Sequence, residues 1–85
     1  MLPPFDLSVP TDDRYRSIAS EAAAKYAELA GRAASEAQAF GADVGAAVDR
    51  LAAPDLNVEV AMTSAASHVE ASLACGGRSA VVKSR

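Results

Sequence analysis

The feature that most constrains this chain is a change of period at Pro54. Upstream of it, Ala37, Phe40, Val44, Ala47 or Val48, and Leu51 recur at spacings of three and four. That is the repeat of a helix with one apolar face. Downstream, Val58, Val60 and Met62 alternate with Glu59, Ala61 and Thr63, the repeat of a half-buried strand. The residue before a proline is pushed out of the helical region, so the helix stops there. An 85-residue chain that switches period in this way is one small domain of the α+β class, spanning residues 1–85.

The remaining elements follow from the same signals. Phe5-Asp-Leu-Ser-Val9 alternates between Pro4 and Pro10, a short strand whose flanking prolines place it at a sheet edge. Edges are also where another molecule can pair. Thr11-Asp12-Asp13 reads as a helix start. Tyr15, Ile18, Ala22, Tyr26 and Leu29 then form a stripe expected to face the core, with Glu21 and Lys25 paired at i,i+4 and Gly31 as C-terminal cap. Ser35 and Glu36 mark a second helix start near Arg32 to Ser35. Gly41 and Gly45 on that helix weaken it by about 1 kcal/mol each relative to alanine, which close approach of another element would offset. Asp55-Leu56-Asn57 is a tight connection. Val69, Ala71 and Leu73 form a second alternating strand after the polar turn Ser64–Ser67. Cys75-Gly76-Gly77-Arg78 reads as a glycine turn, and Ala80 to Lys83 as a last strand. The expected order is β-α-α-β-β-β, with both helices on one face of a mainly antiparallel sheet of three or four strands.

Composition narrows the function classes. Net charge is −3, which argues against a general nucleic-acid binder. Every acidic residue precedes Ser72, while Arg78, Lys83 and Arg85 close the chain. Residues 78–85 are therefore expected as a basic tail, either solvated or docking on an acidic partner. Cys75 is the one cysteine, so no disulfide within the chain is possible. No basic leader or long apolar run is present, so neither a secretory signal nor a membrane span is expected, and a cytoplasmic protein is the default reading. A core rich in alanine, with 5% aromatics, buries little area per residue. Burying a face against a second copy is the usual remedy, so a homodimer is expected.

The order of elements and the run Asp43-Val-Gly-Ala-Ala-Val-Asp-Arg-Leu-Ala-Ala-Pro54 resemble the ATP-binding domain of the anti-sigma-factor serine kinases, within the histidine-kinase-like (GHKL) ATPases. Asp43, Val44, Ala47, Val48 and Asp49 fit that family's second-helix pattern, Asp-Leu-x-Leu-Ala-Val-Asp-Glu-Ala-x-x-Asn. The turn Cys75-Gly76-Gly77 falls where the family has Asp-x-Gly, and the resemblance covers roughly residues 5 to 78. The departures lie at the chemical positions. Arg50 stands where the family has a glutamate, a candidate base for phosphoryl transfer. Pro54 stands where it has the asparagine that holds magnesium. Cys75 stands where an aspartate accepts the adenine amino group. A magnesium–phosphate site needs hard oxygen ligands and a group that orients the nucleophile, and these three residues supply neither. The family's glycine-rich lid is absent as well. The resemblance thus implies a shortened bacterial regulatory module without nucleotide, cofactor or kinase activity. It would act on a protein partner such as a sigma factor.

Other chemistry-bearing residues have ordinary readings. His68 lacks further ligands for a metal site and reads as a surface or turn histidine. Cys75 lacks an evident base for nucleophilic catalysis and reads as a small residue at a strand end. Backbone N–H groups at Gly76-Gly77-Arg78 suit an anion, although a glycine turn explains them as well. Asp12 and Asp13 suit a first helical turn. The serines lack a nucleophile elbow. The expected function is a non-enzymatic interaction module, with Phe5, Leu7, Val9, Gly41 and Gly45 as candidate contact residues. Two alternatives are a small nucleotide-binding protein or kinase using Asp43, Asp49 or Asp55 for magnesium, and a structural helical hairpin covered by strands.

Overall fold

The computed structural model describes residues 3–10, 13–65 and 68–84, with side chains in the first helix from Ser17 onward. Its elements are β1 (Phe5–Pro10), α1 (Asp13–Leu29), α2 (Ala34–Leu51), β2 (Asn57–Ser64), β3 (Val69–Cys75) and β4 (Arg78–Lys83). The four strands form one antiparallel sheet in the order β1-β2-β3-β4. This is the expected α+β arrangement, and it places β1 and β4 at the two edges. Both helices cover one face, α1 over β1 and β2 and α2 over β3 and β4.

The punctuation is local chemistry. At the end of α1, Gly31 takes φ +92. The Arg32 N–H donates to the Ala27 carbonyl at 3.0 Å and the Gly31 N–H to that of Glu28 at 3.0 Å. That pair is the Schellman cap, which satisfies carbonyls the helix leaves open. After α2, Ala53 to Leu56 closes a turn through Leu56 N–H to Ala53 carbonyl at 3.3 Å. Pro54 supplies its fixed φ at the second position, and Asp55 sits at φ 63, as in a type II turn. A β-branched residue tolerates that conformation poorly. Asp55→Val is expected to cost about 1–2 kcal/mol in urea unfolding, whereas Asp55→Asn should leave the midpoint unchanged. Gly76 opens the β3–β4 hairpin at φ +61, as in type II′ turns, which match the twist of the flanking strands.

Alternation along the strands sorts the sheet into two faces. Val9, Val58, Val60, Met62, Val69, Ala71, Leu73 and Val82 point to the helices and are buried, as are Phe40, Val44, Val48 and Leu51 from α2. The other face carries Asp6, Glu59, Ala61, Ser72, Ala74 and Val81 over a shallow trough of about 600 Å³.

Two expectations change. The core stripe of α1 is Ala19, Ala23, Tyr26 and Ala27, not the line through Ile18, Ala22 and Leu29. Close helix contact is the reason. A Cβ on Gly41 would lie 2.7 Å from the Ser20 carbonyl oxygen and 2.9 Å from the Ala24 Cβ. At that separation the α1 line nearest α2 takes only small residues, so Ile18 and Leu29 turn aside and Tyr26 is the one bulky α1 side chain buried among those described. Cys75 closes β3 and is buried, as expected of a strand-end residue, and Cys75 and Arg78 pair at the two ends of the expected Gly76-Gly77 turn. The last strand expected over Ala80 to Lys83 is β4 and begins at Arg78, so most of the basic tail expected over 78–85 is sheet, and Lys83 pairs with Glu70 at 3.5 Å. Thr11, Asp12, Ser67 and Arg85, and the Tyr15 side chain, lie outside the described residues.

Candidate interaction surface

The side chains that α1 turns away from the core gather beside the free edge of β1. Ile18 is 42% exposed, Leu29 65% and Phe5 42%. Ile18, Ala22 and Leu29 are spaced by four and seven along α1, hence on one side of the helix. The Phe5 ring stacks on Tyr26 with centroids 6.5 Å apart, and the Tyr26 hydroxyl donates to the Pro3 carbonyl at 3.0 Å. That bond fixes the ring and leaves its face to line an apolar groove of about 280 Å³ with Phe5, Ala22, Leu29 and the stem of Lys25. Pro3 and Pro4 continue the groove past the start of β1.

The opposite flank has a different character. Between α2 and β4 the surface is lined by Asp43, Ala46, Arg50 and Lys83, with Glu36 and Ser84 farther along. Arg78 and Lys83 stand at the two ends of β4. Charges of this kind are how natural proteins guard an edge from pairing. β1 carries a single charge, Asp6, between its bracketing prolines.

Of the residues expected to make contacts, Phe5 is exposed and Leu7 half-buried on this flank. Val9 is 1% exposed and Gly41 is buried under α1, so both serve the interior instead. Gly45 is half-buried beside Ser20, whose Cβ would lie 3.2 Å from an added methyl. The glycines therefore seat one helix of this chain against the other. Ile18 and Leu29 belong to the exposed flank and were assigned to the core by spacing. The signal that could have revealed them was the parallel alanine line at Ala19, Ala23 and Ala27.

The positions at which the kinase resemblance places chemistry are spread out. Asp43 and Arg50 share the shallow α2–β4 cleft. Asp49, six residues after Asp43, projects from another side of the helix. Pro54 is exposed in its turn, Gly77 is exposed in the hairpin, and Cys75 points into the core. Leu56 Cδ1 would lie 3.3 Å from a Cβ on Gly76, so the Pro54 turn and the glycine hairpin meet at one end of the sheet. The described cavities join only Asp43 with Arg50. His68 and Cys75 stand at opposite ends of β3, about 23 Å apart at ~3.3 Å per residue, too far for a proton relay. Among the described residues there is no group of three or more His, Cys, Asp or Glu side chains placed to hold a metal ion. No described helix is long and apolar enough to cross a membrane. No family profile, curated protein or solved structure matches this chain.

Proposed function

We propose that this chain is a non-enzymatic protein-interaction module that works through its β1–α1 flank. One observation carries the reading: Phe5 and Leu29 are exposed along an apolar groove, Ile18 one turn before Ala22 extends the exposed apolar line along the same side of α1, and the groove borders a sheet edge with only one charge on it. Scattered exposed hydrophobics are ordinary, whereas a contiguous strip against a free strand edge marks a docking surface. The resemblance to anti-sigma-factor kinases makes a regulatory protein such as a sigma factor the natural class of heterologous partner. Arg50, Pro54 and Cys75 give the module no evident means of holding magnesium or adenine, so binding is its proposed activity.

The test is a photoreactive side chain placed at Ile18 in the producing cell, with the same probe at Ala46, on the charged α2–β4 flank, as control. A protein adduct at residue 18 and none at residue 46 is expected. Adducts at both positions alike, or none at residue 18, would remove this surface as the working one.

A further inference from the structure

We propose that the occupant of the β1–α1 flank is a second copy of the chain, joined by antiparallel β1–β1 pairing into an eight-stranded sheet. This rests on reading that flank as the working surface, and it names the partner and the geometry.

The strand is suited to self-pairing. A two-fold axis through Leu7 sets Phe5 of each copy opposite Val9 of the other, and Asp6 opposite Ser8. Phe5, Leu7 and Val9 lie on the helix face of β1, while Asp6 and Ser8 lie on the open face. Every cross-strand pair therefore joins like with like on the correct side, apolar beneath the helices and polar toward solvent.

The helices meet as well. α1 runs back along β1, because Pro10 leads into Asp13 while Phe5 and Pro3 meet Tyr26. Leu7 is two strand residues beyond Phe5, about 6.6 Å, or roughly four residues of helix at ~1.5 Å each. The axis consequently passes near Ala22, the smallest residue of the exposed strip. α1 rides over β1 and β2. Strand spacing of about 4.8 Å then sets the two α1 axes about 10 Å apart, the distance at which helices pack. Ile18 and Leu29 fill the seam on either side of Ala22.

The charges are self-complementary. Lys25 lines the groove beside Ala22, and Glu21, one turn before Lys25, rises from the solvent side of α1. Two antiparallel α1 helices bring Glu21 of one copy within reach of Lys25 of the other, twice per dimer, as an isologous interface requires. A foreign strand meets the same edge but has no reason to present this pattern. The guarded β4 edge ends the assembly at two copies instead of propagating it.

Sedimentation velocity on the purified chain tests this. The wild type is expected at twice the 8.7 kDa of one chain. Ile18→Glu, and separately Leu29→Glu, should raise the dimer Kd at least about tenfold with an unchanged far-UV spectrum. Leu29 is so exposed that its variant has no folding reason to fail. Glu21→Lys or Lys25→Glu alone should weaken the dimer about two- to fivefold, and the double swap should restore it. A wild type that stays monomeric to about 1 mM, or a dimer indifferent to both glutamate variants, overturns the second-copy assignment. The cross-link at residue 18 separates the two failures. An adduct to a different protein, from a chain that is monomeric, leaves the interaction module standing and removes the second copy. No adduct at all removes both.

Discussion

Phe40→Ala is expected to remove a large share of the free energy that keeps this protein folded. Phe40 is the largest fully buried side chain, and it seats α2 on the sheet. Half of the other buried residues on the two helices are alanines, Ala19, Ala23, Ala27, Ala37 and Ala47. An alanine core holds few flexible side chains that could collapse into the space a phenyl ring leaves. Truncation of a buried phenylalanine costs about 3–5 kcal/mol, toward the upper end where the cavity stays open. A domain of this size has about 4–13 kcal/mol in total, taking ~0.05–0.15 kcal/mol per residue. Thermal unfolding followed by circular dichroism should show a fall of well over about 10 °C, at ~4–8 °C per kcal/mol. Phe40→Leu, which keeps most of the volume, should retain a cooperative transition.

The second large effect has the opposite chemistry, one methyl too many. Gly41→Ala should destabilise by about 1–3 kcal/mol through overpacking, despite a gain of about 1 kcal/mol in helix propensity. The added Cβ meets the Ser20 carbonyl at 2.7 Å and the Ala24 Cβ at 2.9 Å, and neither is the far end of a flexible side chain. The two helices must separate, which loosens every alanine contact between them. Gly45→Ala is the matched control. Its methyl meets the Ser20 Cβ at 3.2 Å, so a small shift accommodates it, and the propensity gain should hold its stability within about 1 kcal/mol of wild type. Urea midpoints for the pair should therefore differ, with Gly41→Ala the lower. Equal midpoints would mean that the close approach of α1 to α2 is not maintained in solution.

The fold was legible where one physical signal dominated. Pro54 ended α2 and strict alternation fixed β2 and β3, so the strands and their faces followed from the residues alone. Gly31 foretold its cap for the same reason, since φ +92 suits no other residue so well. The candidate surface was less legible because α1 carries two apolar lines. Spacing alone favours the line of larger residues, Ile18, Ala22 and Leu29. The distance to α2, set by Gly41 on a different element, decides in favour of the alanines, and no window within α1 contains that information. The same competition sent Gly41 and Val9 inward from the contact list, whereas Phe5 and Leu7 remain on the flank.

If the β1–α1 flank is where this protein meets others, its free edge must be covered when the protein works. Amide hydrogen exchange, compared between dilute and concentrated protein, measures that cover residue by residue. The account predicts that protection rises with concentration at those β1 amides not already held by β2, and along Ile18 to Leu29, while the β4 edge exchanges at the same rate throughout. Protection that rises at β4 or along Asp43 to Arg50 instead, with β1 unchanged, would contradict it.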